Sequence, residues 1–211
     1  AAIEEGRTIY NNIRKFVFYL LSCNVGEIII IFTAMLLALA PEPPLLPIQL
    51  LWLNLVTDGL PALALGLEPA EPDVMERPPR DPQSSILDRN LWLSIGLQAL
   101  VDAAVTLCAF VWAYDGPDTL RYAQTVAFAT LVTAELFRAF TARSQYRSLI
   151  SQGLFGNLWM VAATLSSFAL LLLVIYVPAV AVAFRTVRLP LAVWMPVLGF
   201  AVLPAAAAEL I

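Results

Sequence analysis

Residues 45–67 form a mostly apolar stretch that reads LLPIQLLWLNLVTDGLPALALGL. They have the length of one membrane-spanning helix, because the ~30 Å hydrocarbon core of a bilayer needs roughly 20 predominantly apolar residues. Asp58, the single charged residue of this stretch, falls beyond its middle, close to Asn54 and Thr57. A charge at the centre of a bilayer costs at least about 2.5–3.5 kcal/mol, so such a residue faces protein or a polar cavity. The stretch therefore predicts a membrane helix with one polar face.

The composition of the whole chain agrees with a membrane protein. Of its 211 residues, 60% are hydrophobic and 13% are charged, and the mean hydropathy is +0.79. Typical soluble domains are about 45–50% apolar even when glycine is counted. The chain is therefore predicted to be all-α, a polytopic membrane helix bundle with six transmembrane helices. The predicted spans are residues 16–39, 45–67, 91–112, 122–140, 158–177 and 191–211.

The connecting segments divide the chain into four regions and predict its orientation. Nine basic residues fall on one side of the predicted spans and three on the other, so the positive-inside rule places both termini in the cytoplasm. The nine are Arg7, Arg14, Lys15, Arg77, Arg80, Arg89, Arg138, Arg143 and Arg147, and the three are Arg121, Arg185 and Arg188. The regions are a cytoplasmic stalk helix (1–15), two membrane helices with most of the candidate ion ligands (16–67), a cytoplasmic proline-rich loop (68–90) and four further membrane helices (91–211). The loop contains EPAEPD and RPPRDP and is expected to form an extended strap.

Charge and residue usage exclude several classes of function. The net charge of −4 and the pI near 4.8 exclude a nucleic-acid partner, which would require a basic surface. The sequence contains no histidine, so imidazole catalysis and histidine metal sites are excluded. Cys23 and Cys108 lie in separate apolar stretches and do not suggest a disulfide framework.

Four of the predicted spans carry a carboxylate near mid-depth, namely Glu27, Asp58, Asp102 and Glu135. No basic residue is expected at the same depth. Arg138 lies one turn beyond Glu135, and its long side chain is expected to reach the membrane interface. Acids without basic partners predict either a bound cation or protonated carboxylates.

The neighbours of these acids suggest a hard cation. Helical spacing places Asn24 and Glu27 on one face of the first span. It also places Asn54, Thr57 and Asp58, at i, i+3 and i+4, on one face of the second span. Gly59 and Pro61 should weaken the second helix and leave carbonyl groups available. Carboxylate, amide, hydroxyl and carbonyl oxygens are the ligands of Ca²⁺, although asparagine and threonine also form hydrogen bonds between membrane helices. The candidate metal ligands are Asn24, Glu27, Asn54, Thr57, Asp58 and Glu135.

Gln98 and Asp102 form a second polar pair, spaced i and i+4 on the third span. This spacing also places their side chains on one face of a helix. For these two residues the favoured interpretation is structural, because they can brace each other or a neighbouring helix.

Three runs of sequence carry a family resemblance. They are AIEEGRTIYNNIRKFVFYLLSCNVGE (residues 2–27), PIQLLWLNLVTDGLPALALGLEPAEPDVMERPPR (47–80) and TLVTAELFRAFTARSQYRSL (130–149). These runs resemble the fifth, sixth and eighth membrane helices of P-type cation ATPases, specifically calcium pumps of the sarco/endoplasmic reticulum type. The whole chain resembles the membrane half of such a pump, from the fifth to the tenth helix.

The resemblance implies two calcium sites. The first would contain Asn24, Glu27, Thr57, Asp58 and Glu135, and Asn54 would join Asp58 in the second. The remainder of the second site would come from the family's fourth helix, which is not among these residues. Gln98 and Asp102 depart from the family pattern.

The resemblance also implies a function and a set of partners. The chain would be the C-terminal transmembrane domain of an ATP-driven calcium transporter, with proton counter-transport by the same carboxylates. ATP and Mg²⁺ would act only in cytoplasmic domains outside this chain, because the family's Asp-Lys-Thr-Gly-Thr motif does not occur in it. Its partners would be the lipid bilayer and the rest of the pump, which comprises the first four membrane helices and the cytoplasmic domains. The chain alone is expected not to hydrolyse ATP. The short loop at residues 115–121 favours a multi-pass protein of a bacterial plasma membrane.

The residues alone are also compatible with two other classes of function. A passive cation channel or secondary transporter could use the same acidic cluster. A purely structural membrane subunit could keep its buried acids protonated. Residues 4–15 and 68–90 are expected to couple cytoplasmic domains to the membrane helices, although an amphipathic stalk could equally cap the bundle.

Overall fold

A computed structural model describes residues 2–76, 78, 86–144 and 153–209. These residues form helices and no strand, which confirms the all-α fold class. Arg77, Arg80 and Arg147, which enter the orientation count, lie outside the described residues. The helices are α1 (Ala2–Leu36), α2 (Pro47–Trp52), α3 (Gly59–Gly66), α4 (Arg89–Ala113), α5 (Leu120–Thr141), α6 (Leu158–Tyr176), α7 (Pro178–Phe184) and α8 (Leu191–Ala208).

Five helical segments of the described residues are long and apolar enough to cross a membrane. They are Ala2–Leu36, Pro47–Gly66, Arg89–Ala113, Leu158–Tyr176 and Leu191–Ala208. Each contains most of a predicted span, and together they confirm a bundle of membrane helices. The predicted span at residues 122–140 also forms a helix, α5, but this helix is more polar than the others. A count of six spans therefore stays a prediction.

Helix α5 lies at the centre of the bundle and packs against α4, α6 and α8. Every residue from Ala123 to Leu136 is buried. Many of these residues are small, which allows neighbouring helices to approach closely. The position of α5 explains its polarity, since a helix surrounded by protein does not need an apolar face toward lipid.

Helix α1 joins the predicted stalk to the first span without a break. Its 35 residues extend about 52 Å at 1.5 Å per residue, which exceeds the ~30 Å hydrocarbon core. The helix therefore projects beyond the bilayer at one end of the bundle, here called the stalk end. The opposite end, which carries residues 37–46, is called the far end.

The first part of the predicted strap is attached to the stalk. Asn12 donates to the carbonyl of Glu68 at 2.7 Å, and Lys15 forms a 2.8 Å ion pair with Glu71. Residues 72–76 form turns instead of the predicted extended chain, because Val74 turns inward and is 3% exposed. Residues 77 and 79–85 of the predicted strap lie outside the described residues.

A buried polar junction closes the stalk end beside the strap. The Glu68 carboxylate accepts from the Arg143 guanidinium at 2.9–3.2 Å and from Asn157 Nδ2 at 2.7 Å. Asn157 also caps α6, since its side chain accepts from the Met160 N–H. This junction connects the end of the second predicted span to α5 and α6.

Candidate cation site

The centre of the bundle brings two of the predicted ligands together. The carboxylates of Asp58 and Glu135 converge with the thiol of Cys23, with one ligand atom of each within 4.8 Å of the others. All three residues are at most 1% exposed. The Tyr19 hydroxyl lies 3.3 Å from Asp58 Oδ1 and 3.3 Å from the carbonyl oxygen of Glu135. Helices α1 and α5 and the turn before α3 therefore share one polar centre.

A second contact connects the first two predicted spans. Asn54 Nδ2 donates to Glu27 Oε2 at 2.7 Å. The side chains of Asn24 and Thr57 instead donate to carbonyl groups of their own helical turns, at 2.8 Å and 3.0 Å. The structure thus pairs Glu27 with Asn54 and brings Asp58 to Glu135, whereas Asn24 and Thr57 make no side-chain bond to a carboxylate among the described residues.

Several carboxylate oxygens in this region are buried without a hydrogen-bond partner among the described residues. They are Glu27 Oε1, Asp58 Oδ2 and both carboxylate oxygens of Glu135. A buried ionised carboxylate is costly unless a cation, a proton or hydrogen-bond donors neutralise it. The cluster therefore has the acceptor capacity that a bound cation requires.

The backbone between α2 and α3 is interrupted just before Gly59 and Pro61, the two residues that were expected to weaken the helix. Residues Leu53–Thr57 form a π-helical turn, in which the Asp58 N–H donates to the Leu53 carbonyl at 2.9 Å. Pro61 has no N–H to offer the Thr57 carbonyl, and the Ser167 hydroxyl from α6 donates to that carbonyl at 3.4 Å. Such interruptions are frequent at functional sites. At Thr57 the interruption leaves a carbonyl oxygen without its helical N–H donor, adjacent in sequence to Asp58.

The expectation that Arg138 reaches the membrane interface is wrong. Its side chain is 2% exposed and forms an ion pair with Asp102, which is 1% exposed. The guanidinium also donates to Ser22 Oγ and lies 5.8 Å from the centre of the Tyr19 ring. Asp102 on α4 supplies a counter-charge across the interface with α5, so the arginine is stabilised inside the bundle. A basic residue is therefore present near the depth of the carboxylates, contrary to the prediction.

The structural interpretation of Gln98 and Asp102 is confirmed. Gln98 Nε2 donates to the carbonyl of Pro204 on α8 at 3.0 Å, so it braces a neighbouring helix. Asp102 braces α5 through Arg138.

The sequence reasoning missed Tyr19, Ser22, Cys23 and Ser167. A usable signal existed for two of them, because Tyr19, Cys23 and Glu27 follow one another at i and i+4 on one face of α1. Ser167 had no such signal, since its partner is a backbone carbonyl on a helix distant in sequence.

Comparison with known proteins gives the family of this chain. The family model described as the C-terminus of cation-transporting ATPases matches residues 42–211. The chain belongs to this family. Over 97% of its length, this ATPase region is 48% identical to a calcium-transporting ATPase of Bacillus subtilis (strain 168). Over its whole length, it is 38% identical to calcium-transporting ATPase 1 of Bacillus cereus (strain ATCC 10987 / NRS 248).

The chain spans about a quarter of the length of these relatives, 23% of the first and 25% of the second. The matches confirm the resemblance to the C-terminal region of P-type calcium ATPases. The chain is an integral membrane protein with several spans. Its similarity to two Bacillus proteins supports a location in a bacterial plasma membrane. The sarco/endoplasmic reticulum subtype stays a prediction.

Proposed function

We propose that this chain supplies the intramembrane ion sites of an ATP-driven calcium transporter. The observation that carries the proposal is the buried convergence of Asp58 and Glu135, which have three carboxylate oxygens without a hydrogen-bond partner among the described residues. The Thr57 carbonyl and the Glu27–Asn54 pair add neutral and charged oxygens nearby along the same helices. A set of oxygens with several carboxylates suits Ca²⁺, which takes six to eight oxygen ligands.

The proposed ligand set follows the family resemblance. A first ion would be bound by Asn24, Glu27, Thr57, Asp58 and Glu135, while a second would use Asn54 and Asp58 together with groups outside this chain. Asn54 presents its amide nitrogen to Glu27 in the structure, whereas a cation would require its amide oxygen. Because the amide carries both groups, a cation bound to the Asn54 oxygen is compatible with the hydrogen bond to Glu27.

Proton counter-transport follows from the same burial. When a divalent cation leaves, closely spaced carboxylates in a low-dielectric interior repel one another. Protons from the side that receives the calcium would neutralise Glu27, Asp58 and Glu135 in the ion-free state. The same residues would thus carry calcium in one direction and protons in the other.

ATP and Mg²⁺ would act in a part of the transporter outside this chain, and the stalk would transmit the resulting movement. Two contacts support this role for the stalk, namely the ion pair between Lys15 and Glu71 and the 2.9 Å hydrogen bond from Arg7 to the Val74 carbonyl. A displacement of the strap would therefore pull on α1. The same helix holds Glu27 at a position deeper in the membrane than the stalk.

The experiment is ATP-dependent ⁴⁵Ca²⁺ uptake into vesicles by the complete transporter that carries this region. Asp58→Asn and Glu135→Gln should each weaken the apparent Ca²⁺ affinity at least about tenfold, which corresponds to ~1.4 kcal/mol. Asp115→Asn is the matched control, because Asp115 is exposed in a loop at the far end.

Three outcomes would contradict the proposal. Uptake that does not require ATP would indicate a channel or a secondary transporter. Unchanged Ca²⁺ affinity in Asp58→Asn and Glu135→Gln would indicate that the buried acids are structural. Stimulation of ATP hydrolysis by Mn²⁺ or Na⁺ but not by Ca²⁺ would leave an ATP-driven pump with a different ion.

A further inference from the structure

The three arginines that the sequence places opposite the stalk side come together at one pocket. Arg121, Arg185 and Arg188 all line a cavity of about 550 Å³ at the far end of the bundle. They come from the start of α5, the end of α7 and the segment before α8. None of the described residues that line the cavity carries a carboxylate. Basic residues are disfavoured on that side of a membrane, so their concentration around one cavity calls for a partner of opposite charge.

Hydrogen bonds hold the walls of this pocket in place. The Thr186 hydroxyl donates to the Val174 carbonyl at 2.7 Å, and the Tyr176 hydroxyl donates to the Leu189 carbonyl at 2.8 Å. Arg185 occupies the left-handed region, with φ of 55°, where it ends α7 and turns the chain toward α8. The segment that carries two of the arginines is therefore ordered before any ligand binds, which reduces the entropic cost of binding.

Two of the three guanidinium groups have no ion-pair partner among the described residues. Arg185 forms an exposed 3.2 Å ion pair with Glu42. Arg188 lies against the Tyr176 ring, 5.9 Å from its centre, and neither Arg188 nor Arg121 has a carboxylate within ion-pair distance in the described part of the chain. These two charges remain available to an anion.

We propose that this pocket binds the phosphate headgroup of an anionic phospholipid from the leaflet at the far end. Guanidinium groups match the geometry of phosphate oxygens, and several of them at a membrane interface attract anionic headgroups. Apolar residues complete the wall, among them Ala181 and Val182, and Val182 is 79% exposed. The phosphate would contact the arginines while an acyl chain lies along this apolar wall, a contact that free phosphate cannot make. The proposal is independent of the ion that the bundle transports.

Native mass spectrometry of the detergent-solubilised protein tests this proposal with added phosphatidylglycerol or phosphatidylcholine. Removing one interfacial arginine should weaken phosphatidylglycerol binding about fivefold, and the double variant Arg121→Gln/Arg188→Gln should weaken it about 25-fold. Arg89→Gln is the matched control, because Arg89 is exposed at the stalk end and should leave this binding unchanged. Arg185 is kept so that its ion pair with Glu42 stays intact.

The possible outcomes separate the lipid from other anions. Retention of phosphatidylglycerol by the unaltered protein in excess inorganic phosphate supports the proposal, whereas displacement by phosphate would indicate a simple anion site. Equal binding of phosphatidylcholine and phosphatidylglycerol would overturn the proposal. An equal decrease in phosphatidylglycerol binding in Arg89→Gln and Arg188→Gln would also overturn the proposal, because the lipid would then be attracted by the positive charge of the whole protein and not by this pocket.

Discussion

Replacing Asp102 by Asn should destabilise the bundle by about 3–5 kcal/mol, because it removes the carboxylate that is ion-paired with the buried Arg138 guanidinium. Arg138 is 2% exposed, so water does not solvate its guanidinium group. Its other described contacts, the Ser22 hydroxyl, the Cys23 thiol and the Tyr19 ring, are neutral and already made. They cannot compensate for the lost carboxylate.

The reverse substitution should cost less. Arg138→Gln leaves Asp102 buried, but a carboxyl group can accept a proton and become neutral, so we expect a loss of about 1–3 kcal/mol. The double variant Asp102→Asn/Arg138→Gln should be more stable than Asp102→Asn alone, because two neutral amides can hydrogen-bond to each other. The coupling energy between the two sites should be about 2 kcal/mol or more.

The assay is unfolding of the purified protein in detergent, followed by tryptophan fluorescence and circular dichroism for the two single variants and the double variant. Asp115→Asn serves as the control for the chemical change alone, since Asp115 is exposed. Losses of stability that simply add in the double variant would refute the reasoning. So would a larger cost for Arg138→Gln than for Asp102→Asn.

Three further predictions concern other parts of the chain. Glu68→Gln should lower the free energy of unfolding by about 3 kcal/mol, because it leaves Arg143, which is 3% exposed, without its carboxylate; detergent unfolding measures the change. Asp88→Ala should cost ~1 kcal/mol by removing the N-cap of α4, whereas Asp88→Asn should retain the cap. Backbone N–H groups at the start of α4 hold the pKa of the Asp88 carboxyl below its usual range. The stabilisation by this carboxylate should therefore be complete above the ordinary pKa of an aspartate and be lost as the pH falls through the lowered pKa of Asp88. Unfolding measured in a series of acidic buffers would detect this loss. Tyr19→Phe should weaken the apparent Ca²⁺ affinity of uptake a few-fold, because it removes the hydroxyl that contacts Asp58 Oδ1 at 3.3 Å and helps to position this carboxylate.

The helices were predictable because a membrane requires every backbone group to be paired within its own segment. The predicted spans 91–112 and 122–140 differ from Arg89–Ala113 and Leu120–Thr141 by one or two residues at each end. The short helix Pro178–Phe184 was missed, because it lies between two predicted spans in a segment taken as a loop. Pro178 at its first position is a start signal that the sequence does contain.

The site was predictable where it depends on spacing along one helix, and it was not predictable where it depends on contacts between helices. The polar faces around Glu27 and Asp58 follow from helical periodicity, and Pro61 indicates a carbonyl without its usual donor. The position of Arg138 depends instead on which helix lies opposite α5 and at what depth. That information is absent from the spacing of Asp102 on α4, so an interfacial arginine was the natural but incorrect expectation.

The central position of α5 has a consequence for how the protein reaches its membrane. A helix with Glu135 and Arg138 in its second half is a poor substrate for insertion as an isolated segment. The preceding helix, α4, carries the countercharge Asp102, and the loop between them is only residues 114–119. We expect α4 and α5 to leave the translocation machinery together as a hairpin whose opposite charges neutralise each other before lipid surrounds them. Biogenesis of the bundle would then depend on the order in which its segments are synthesised, with α4 holding the partner that α5 needs.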